Sequence, residues 1–422
     1  MRRRIAPIVS DAKGSDAKEI EHPNPEQVFT GGKQIMAQNK SCSYKTGLLI
    51  FLLPFAAVAM GCGGGGATAS SSSGSGNTTP PTYSQESADG IQALQKWYIQ
   101  STGLYEKPSG WWETANSMTM LANYERVAGD TSYESVISNT FTAGQTVHNN
   151  FFDNYDDDEG WWAMAWIDAY DLTGNKAYLA MAETIFANIA SEWDTTTCGG
   201  GVWWEKPATG VVEYKNAITN ELFLTVAAAL ANRTSGTTSA SYLAWAEKEW
   251  IWFKASGMIN SQNLINDGLA AVDPSNPAVC ANNGKTTWTY NQGAILGGLV
   301  ELNKADQDPT LLPQAEAIAN AAIAHLTSNG ILTEPILSGS DAPQFKGVFM
   351  RNLMVLYAAL PTTGTQDAQY KNFTDANANS IWANDQASGY EFGGIWQGPF
   401  DSADATRQSA ALDALVAAAA MQ

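Results

Sequence analysis

Six times along this 422-residue chain a loop bearing aromatic or glycine residues opens a helical stretch, and this recurrence limits the possible folds more than any other feature. The unit is complete twice. Trp111-Trp112 runs on to Gly129-Asp130-Thr131-Ser132-Tyr133, and Trp161-Trp162 to Gly174-Asn175-Lys176-Ala177-Tyr178: a helix, a glycine turn, and a tyrosine that introduces the returning helix. These read as αα-hairpins. Further openings stand at Asn216 to Glu221, Tyr290 to Gly293, Gly347 to Arg351 and Pro399 to Asp401. Starts near 111, 161, 216, 290, 347 and 400 are 50 to 74 residues apart, room for two helices with their connections. Ala-rich stretches such as Val226 to Ala231 and Ala315 to Leu326 carry helical periodicity, and β-branched alternation is scarce. The expected fold is all-α: six hairpins closed into an (α/α)6 barrel, with the inner-helix N-termini converging on one rim to build a cleft. An open α-solenoid is the alternative, although its repeats share a tighter consensus than these do.

The barrel is expected over residues 83–422. Residues 1–62 read as an export segment: Lys40 and Lys45 precede the apolar run Gly47 to Met60, too short for a comfortable membrane span, which wants about 20 residues. Ala59-Met60-Gly61-Cys62 resembles a bacterial lipoprotein cleavage box with Cys62 as the lipidated residue, and translation is expected to begin at Met36. Residues 63–82 are almost wholly Gly, Ser, Thr and Pro, which bury no core and form a flexible tether. With Cys42 removed and Cys62 lipidated, Cys198 and Cys280 remain as an even pair in an oxidising compartment. A bond between them would contribute up to roughly 4 kcal/mol by loop entropy, and two unpaired thiols fit the spacing as well.

With 23 basic and 42 acidic residues the chain carries a formal charge of −19, which disfavours phosphate backbones and anionic membrane surfaces. Nucleic acid is excluded as a partner, and membrane contact is expected only through the lipid anchor of a monomer. The three histidines, His22, His148 and His325, have no ligand spacing with the cysteines, so no metal and no cofactor are expected. Fifteen tryptophans supply indole faces that stack on sugar rings, and the same residues serve as core.

The chemistry concentrates in Asp156-Asp157-Asp158-Glu159-Gly160-Trp161-Trp162. Neighbouring aspartates held beside apolar rings repel one another, and their pKa values separate into a protonated acid and an ionised nucleophile. Adjacent carboxyls suit the separation of about 5 to 5.5 Å of a retaining glycosidase rather than the about 6.5 to 9.5 Å of an inverting one. An acidic helix first turn, satisfying free N–H groups and the dipole, accounts for the same run without catalysis. A calcium loop does not fit, for Asp153 to Asp156 lack alternating ligands and the sixth-position glycine.

From Gln92 to its end the chain resembles glycoside hydrolase family 76, endo-acting α-1,6-mannanases and related fungal cell-wall transglycosidases on an (α/α)6 barrel. The resemblance rests on Asp157-Asp158-Glu159-Gly160-Trp161-Trp162, with Trp288 to Gly293, Asn216 to Leu224, Lys346 to Arg351 and Trp396 to Phe400 in the same order. It implies that Asp157 is the nucleophile and Asp158 the general acid and then base. Asp156 makes a run of three and leaves the register open by one residue: it is a charge neighbour that raises the acid's pKa, or a solvated cap. Sugar stacking is expected from Trp111, Trp112, Trp161, Trp162, Trp203, Trp204 and Trp396, with packing as the other reading and one ring of each tandem facing the cleft. Tyr290, Asn291 and Gln292 are expected to bond sugar hydroxyls, or else to cap and brace the helix start. Arg351 reads as a structural ion-pair partner.

The expected function is an exported retaining endo-α-1,6-mannanase acting on mannan. A transglycosidase differs only in whether a sugar hydroxyl or water attacks the intermediate. An epimerase on the same barrel would want histidines in the cleft, and a non-catalytic glycan-binding lipoprotein would need neither Asp157 nor Asp158.

Overall fold

The computed structural model describes residues 81–106, 110–208, 213–273, 275–361 and 364–422. The export segment with Cys62, and the tether up to residue 80, lie outside these. Twelve α-helices form the described body: α1 (Tyr83–Leu94), α2 (Trp112–Ala128), α3 (Glu134–Val147), α4 (Asp156–Thr173), α5 (Lys176–Ser191), α6 (Ala217–Arg233), α7 (Gly236–Ser256), α8 (Thr289–Asp306), α9 (Leu311–His325), α10 (Ala342–Ala359), α11 (Thr365–Asn384) and α12 (Ala405–Ala420). Each even-numbered helix packs on the next, and α12 packs on α2, which closes the inner ring. The odd-numbered helices form the outer layer. This is the (α/α)6 barrel expected from the hairpin spacing.

The two layers differ in sequence because they differ in burial. The outer helix α5 buries one stripe, Tyr178, Leu179, Ala182, Ile185, Phe186 and Ile189, at the spacing that puts apolar groups on one helix face. The inner helix α6 is buried all round from Ala217 to Ala231. Inner helices approach closely where side chains are absent: a Cβ on Gly293 of α8 would lie 2.5 Å from the Phe349 Cα of α10, and one on Gly347 2.6 Å from the Ala410 Cα of α12. Gly129 and Gly174, in left-handed conformation at φ 65° and 69°, end α2 and α4 at the short turns.

Connections at the two ends are unequal. Inner helices lead to outer ones through short turns, whereas outer helices return to the inner N-termini through long loops carrying four two-stranded hairpins: β1 (Tyr98–Ile99) with β2 (Leu104–Tyr105), β3 (Leu269–Ala271) with β4 (Cys280–Asn282), β5 (Thr327–Ser328) with β6 (Ile331–Leu332), and β7 (Gln386–Ala387) with β8 (Glu391–Phe392). All functional loops thus gather on one rim. The loop of residues 192–216 is fastened twice. A disulfide joins Cys198 to Cys280, 82 residues apart, and the buried Lys215 ammonium donates to the carbonyls of Asp194 (2.8 Å), Thr197 (2.7 Å) and Gly200 (2.6 Å).

Candidate active site

Tyr155, in extended conformation at the N-cap of α4, lies beside the returning 202–206 segment. The Asp156 N–H donates to the Trp204 carbonyl (2.9 Å), and the Lys206 N–H to that of Asn154 (2.8 Å). This pairing brings the Trp204 indole to the first turn of α4, where Nε1 donates to Asp157 Oδ2 at 3.2 Å. Asp156, Asp157, Asp158 and Glu159 fill that first turn, so free N–H groups and the positive dipole end face their carboxylates. The cap reading and the catalytic reading therefore describe the same turn.

The three aspartates have three environments. Asp156 points into the protein, fully buried, 3.0 Å from the Lys206 ammonium. Lys206 also holds Glu159 and donates to the Asp153 carbonyl at 2.7 Å. Burial pushes Asp156 up to about 8, with Lys206 pulling the other way. On Lys206 burial acts to lower, but Asp156 and Glu159 outweigh it and hold the ammonium charged. One cation thus serves two buried carboxyls. Glu159 accepts in addition from the Asn188 amide (2.7 and 3.0 Å) and the Asp153 N–H (3.0 Å), and the raised pKa of Asp156 leaves it protonated near neutral pH. It is not a solvated cap.

Asp157 and Asp158 retain some solvent exposure yet sit deep among protein atoms. Burial pushes Asp157 up to about 7, opposed by its own N–H, that of Asp158, and the Trp204 indole. Asp158 is raised well above the carboxylate range, first by burial and then by the charges of Asp157, Asp153, Glu113 and Asp341. As a coupled pair they lose the first proton from Asp157, where donors stabilise the charge, and Asp158 keeps its own. Above about pH 7 the first turn therefore presents a carboxylate beside a carboxylic acid.

Aromatic rings wall this pair. Trp112 stacks on Trp161 with centroids 5.8 Å apart, and Phe345 stacks on Tyr290 at 3.9 Å while touching Trp112 (6.1 Å) and Trp288 (5.6 Å). Burial, followed by the charges of Asp267, Asp157 and Glu221, keeps the Tyr290 hydroxyl protonated. Asp267 accepts from the Trp288 indole (3.0 Å) and from the Tyr214 hydroxyl. Trp161 closes the floor. Beneath it an axial cavity of about 230 Å³ is lined by paired charges, among them Arg126 with Asp168 and Arg233 with Glu301. Arg351 lies 5.6 Å over the Trp161 ring and pairs with Asp413 at 3.1 Å, in the structural role expected.

The tandem tryptophans part company. Trp112 stacks on Trp161, which is nearly fully buried and lines the axial cavity, and Trp204 reaches Asp157. Trp111 and Trp162 turn into a cluster with Phe151, and Trp203 packs under Lys215, 4.6 Å from its ammonium. Trp396 is fully buried beneath Lys346 (4.1 Å). Asn291 and Gln292 are also fully buried, which favours the bracing reading over contact with sugar hydroxyls. Gln292 instead braces a rim loop: its oxygen accepts the Ile265 N–H (2.8 Å), and its amide donates to the Ile265 carbonyl (2.9 Å). The fourth residue of α4, α6, α8 and α12 repeats this device, with Glu159 on Asp153, Asn220 on Val202, Gln292 on Ile265 and Gln408 on Phe392. Each satisfies a loop N–H that burial would otherwise orphan. Sequence reasoning missed Lys206, Tyr214, Asp267 and Phe345. The polar fourth position of successive inner helices was the available signal for the braces, and Trp203-Trp204-Glu205-Lys206 for the lysine.

Residues 83–422 match the model of glycosyl hydrolase family 76. A Saccharomyces cerevisiae mannan endo-1,6-alpha-mannosidase is 27% identical over 322 residues, 71% of this chain and 68% of that protein. Among solved structures, an alpha-1,6-mannanase of a Salegentibacter species superposes with a TM-score of 0.72 at 21% identity, covering 81% of this chain and all of that one. That protein is an inactive variant with two consecutive aspartates changed to asparagine, in complex with alpha-1,6-mannotriose. A Chaetomium thermophilum protein in complex with glucosamine gives 0.68 at 20% identity, covering 80% and 90%.

Proposed function

The chain belongs to glycosyl hydrolase family 76 and is a glycoside hydrolase, and we propose that it is an exported endo-acting α-1,6-mannanase that retains anomeric configuration. The observation that carries this reading is the first turn of α4, where Asp157, held by the Trp204 indole, stands beside Asp158. The mannan endo-1,6-alpha-mannosidases among its relatives, and the mannotriose complex of a protein with the same fold, support the substrate.

In the proposed double displacement the Asp157 carboxylate attacks the anomeric carbon as Asp158 gives its proton to the departing glycosidic oxygen. The C–O bond breaks and a mannosyl ester forms. Asp158, now ionised, takes a proton from water, whose oxygen attacks the same carbon and frees Asp157. The Trp204 N–H holds the Asp157 carboxylate in line. The transition state carries positive charge on the sugar, which the acidic turn and Asp267 favour over the neutral ground state.

Purified protein incubated with linear α-1,6-mannan is expected to release oligosaccharides whose new reducing ends are first α, as followed by proton NMR before mutarotation. Initial β product would replace retention by inversion, and no product at all from folded protein would remove the substrate. Export is supported by the apolar run before Cys62 and by the Cys198–Cys280 bond, which suits an oxidising compartment. The intact mass of protein recovered from the envelope is expected to show an N-terminus at lipidated Cys62, and an unprocessed product would refute it.

A further inference from the structure

On the outer wall, where the first and last hairpins meet, α1 and α11 border a groove of about 530 Å³. Thr82, Tyr83, Ser84, Glu86, Asn379 and Trp382 line it, and no basic side chain is among the described residues bordering it. Two features set it apart from ordinary surface. Glu86 is 4% exposed, yet its Oε2 has no hydrogen-bond partner among the described residues, and its shallow covered position pushes it up to about 7 by burial alone. An acceptor with no protein donor at the edge of a groove is free to take a hydroxyl donor from a ligand. Beside it, Trp382 is stacked on Tyr390 at 5.6 Å and 16°, and Tyr390 is 43% exposed in left-handed conformation at φ 62°.

We propose that this seam groove is a second glycan-contact site, which takes neutral hexopyranose units of the same polysaccharide that the cleft cleaves. An indole edge or face beside an orphaned carboxyl, an amide and hydroxyls matches a pyranose, which offers an apolar face and a ring of hydroxyl donors. Anions find no cation there. The volume falls within the range of sites for small ligands and exceeds what one side chain fills. A polymer held at the groove by one segment presents its other segments to the active site at raised local concentration. The proposal rests on the polysaccharide reading above.

The test separates the two sites. Protein carrying Asp157→Asn and Asp158→Asn is mixed with insoluble α-1,6-mannan, and depletion from solution is measured with and without Trp382→Ala or Glu86→Gln. Each added substitution is expected to weaken retention about three- to tenfold, and methyl α-mannoside at high concentration to compete. In the active protein the same two substitutions are expected to raise KM for polymer while kcat/KM for α-1,6-mannotetraose stays unchanged. Retention unaffected by either substitution overturns the proposal, as does displacement by tetramethylammonium but not by the mannoside. Equal impairment on tetraose and polymer also overturns it, by showing a fold defect, with Trp382→Phe as the check on folding. If wild-type protein does not cleave mannotetraose, the catalytic reading fails independently of the retention result.

Discussion

Asp157→Asn is expected to reduce hydrolysis of α-1,6-mannan by on the order of 10³-fold or more, with substrate binding and melting temperature little changed. The amide has nearly the shape of the carboxyl and still accepts from the Trp204 indole, but it has no charge with which to attack the anomeric carbon. Asp158→Asn is expected to cost as much on the polymer for another reason: the departing oxygen no longer receives a proton. The two roles separate on a substrate with an activated aryl leaving group, which departs without protonation. There Asp158→Asn should recover much of its rate for the first step, and Asp157→Asn none. Asp156→Asn should stay within about tenfold of wild type, since Asp156 already holds a proton, is closed off from the cleft, and an amide occupies its place beside Lys206. Steady-state kinetics on both substrates decide the matter. A large loss from Asp156→Asn, with Asp158→Asn active on polymer, would shift the catalytic pair by one residue and overturn the assignment.

That register illustrates what the sequence carried and what it did not. Four acidic residues before Gly160-Trp161-Trp162 locate a first turn because helix starts attract carboxylates, a local preference. The helix consequently opens at Asp156 rather than near Trp161, and α10 opens at Ala342 rather than near Gly347. Helical geometry also turns consecutive residues about 100° apart, so one ring of a tandem faces inward. Which ring does so depends on neighbours distant in sequence: Trp111 and Phe151 draw in Trp162, and Trp112 meets Trp161. The sequence leaves Gln292 open between sugar ligand and brace because its partner, the Ile265 backbone, lies 27 residues back and exerts no local signal. Lys206 escaped for the same reason, since its two carboxyls become neighbours only when the 202–206 segment lies against Tyr155.

Buried acids leave a second mark, on stability: the melting temperature is expected to fall by roughly 10 °C between pH 5 and pH 8. Burial pushes Asp156, Glu334 and Asp385 each up to about 8, and Glu221 and Glu249 well above the carboxylate range. In the unfolded chain the same groups give up their protons near pH 4. Between those limits the folded state binds more protons than the unfolded one, so stability falls as pH rises, by about 1.4 kcal/mol per pH unit for each full proton of difference. Lys206 beside Asp156, and Lys346 near Glu334 and Asp385, offset part of this. Burial holds Lys346 down at about 7, against the pull of those acids, so above that pH it sheds a proton that the unfolded chain keeps and works in the opposite sense. The steepest loss therefore lies between pH 5 and 7. At the acid end, Asp194 and Glu301 are held at about 2 by hydrogen bonds and by Arg233 and Lys304 despite their burial, and their contribution disappears below pH 4. Maximal stability should thus sit near pH 5. Glu249→Gln isolates one such acid, because the residue is fully buried on α7 with neither oxygen hydrogen-bonded. The amide resembles the neutral acid present at pH 5 and spares the protein the charge forced on it at higher pH, so it should raise the melting temperature at pH 8 and leave it nearly unchanged at pH 5. A melting temperature that stays level or rises from pH 5 to pH 8 would show that these acids are ionised in the folded protein, and the proton held by Asp156 would have to be abandoned with them.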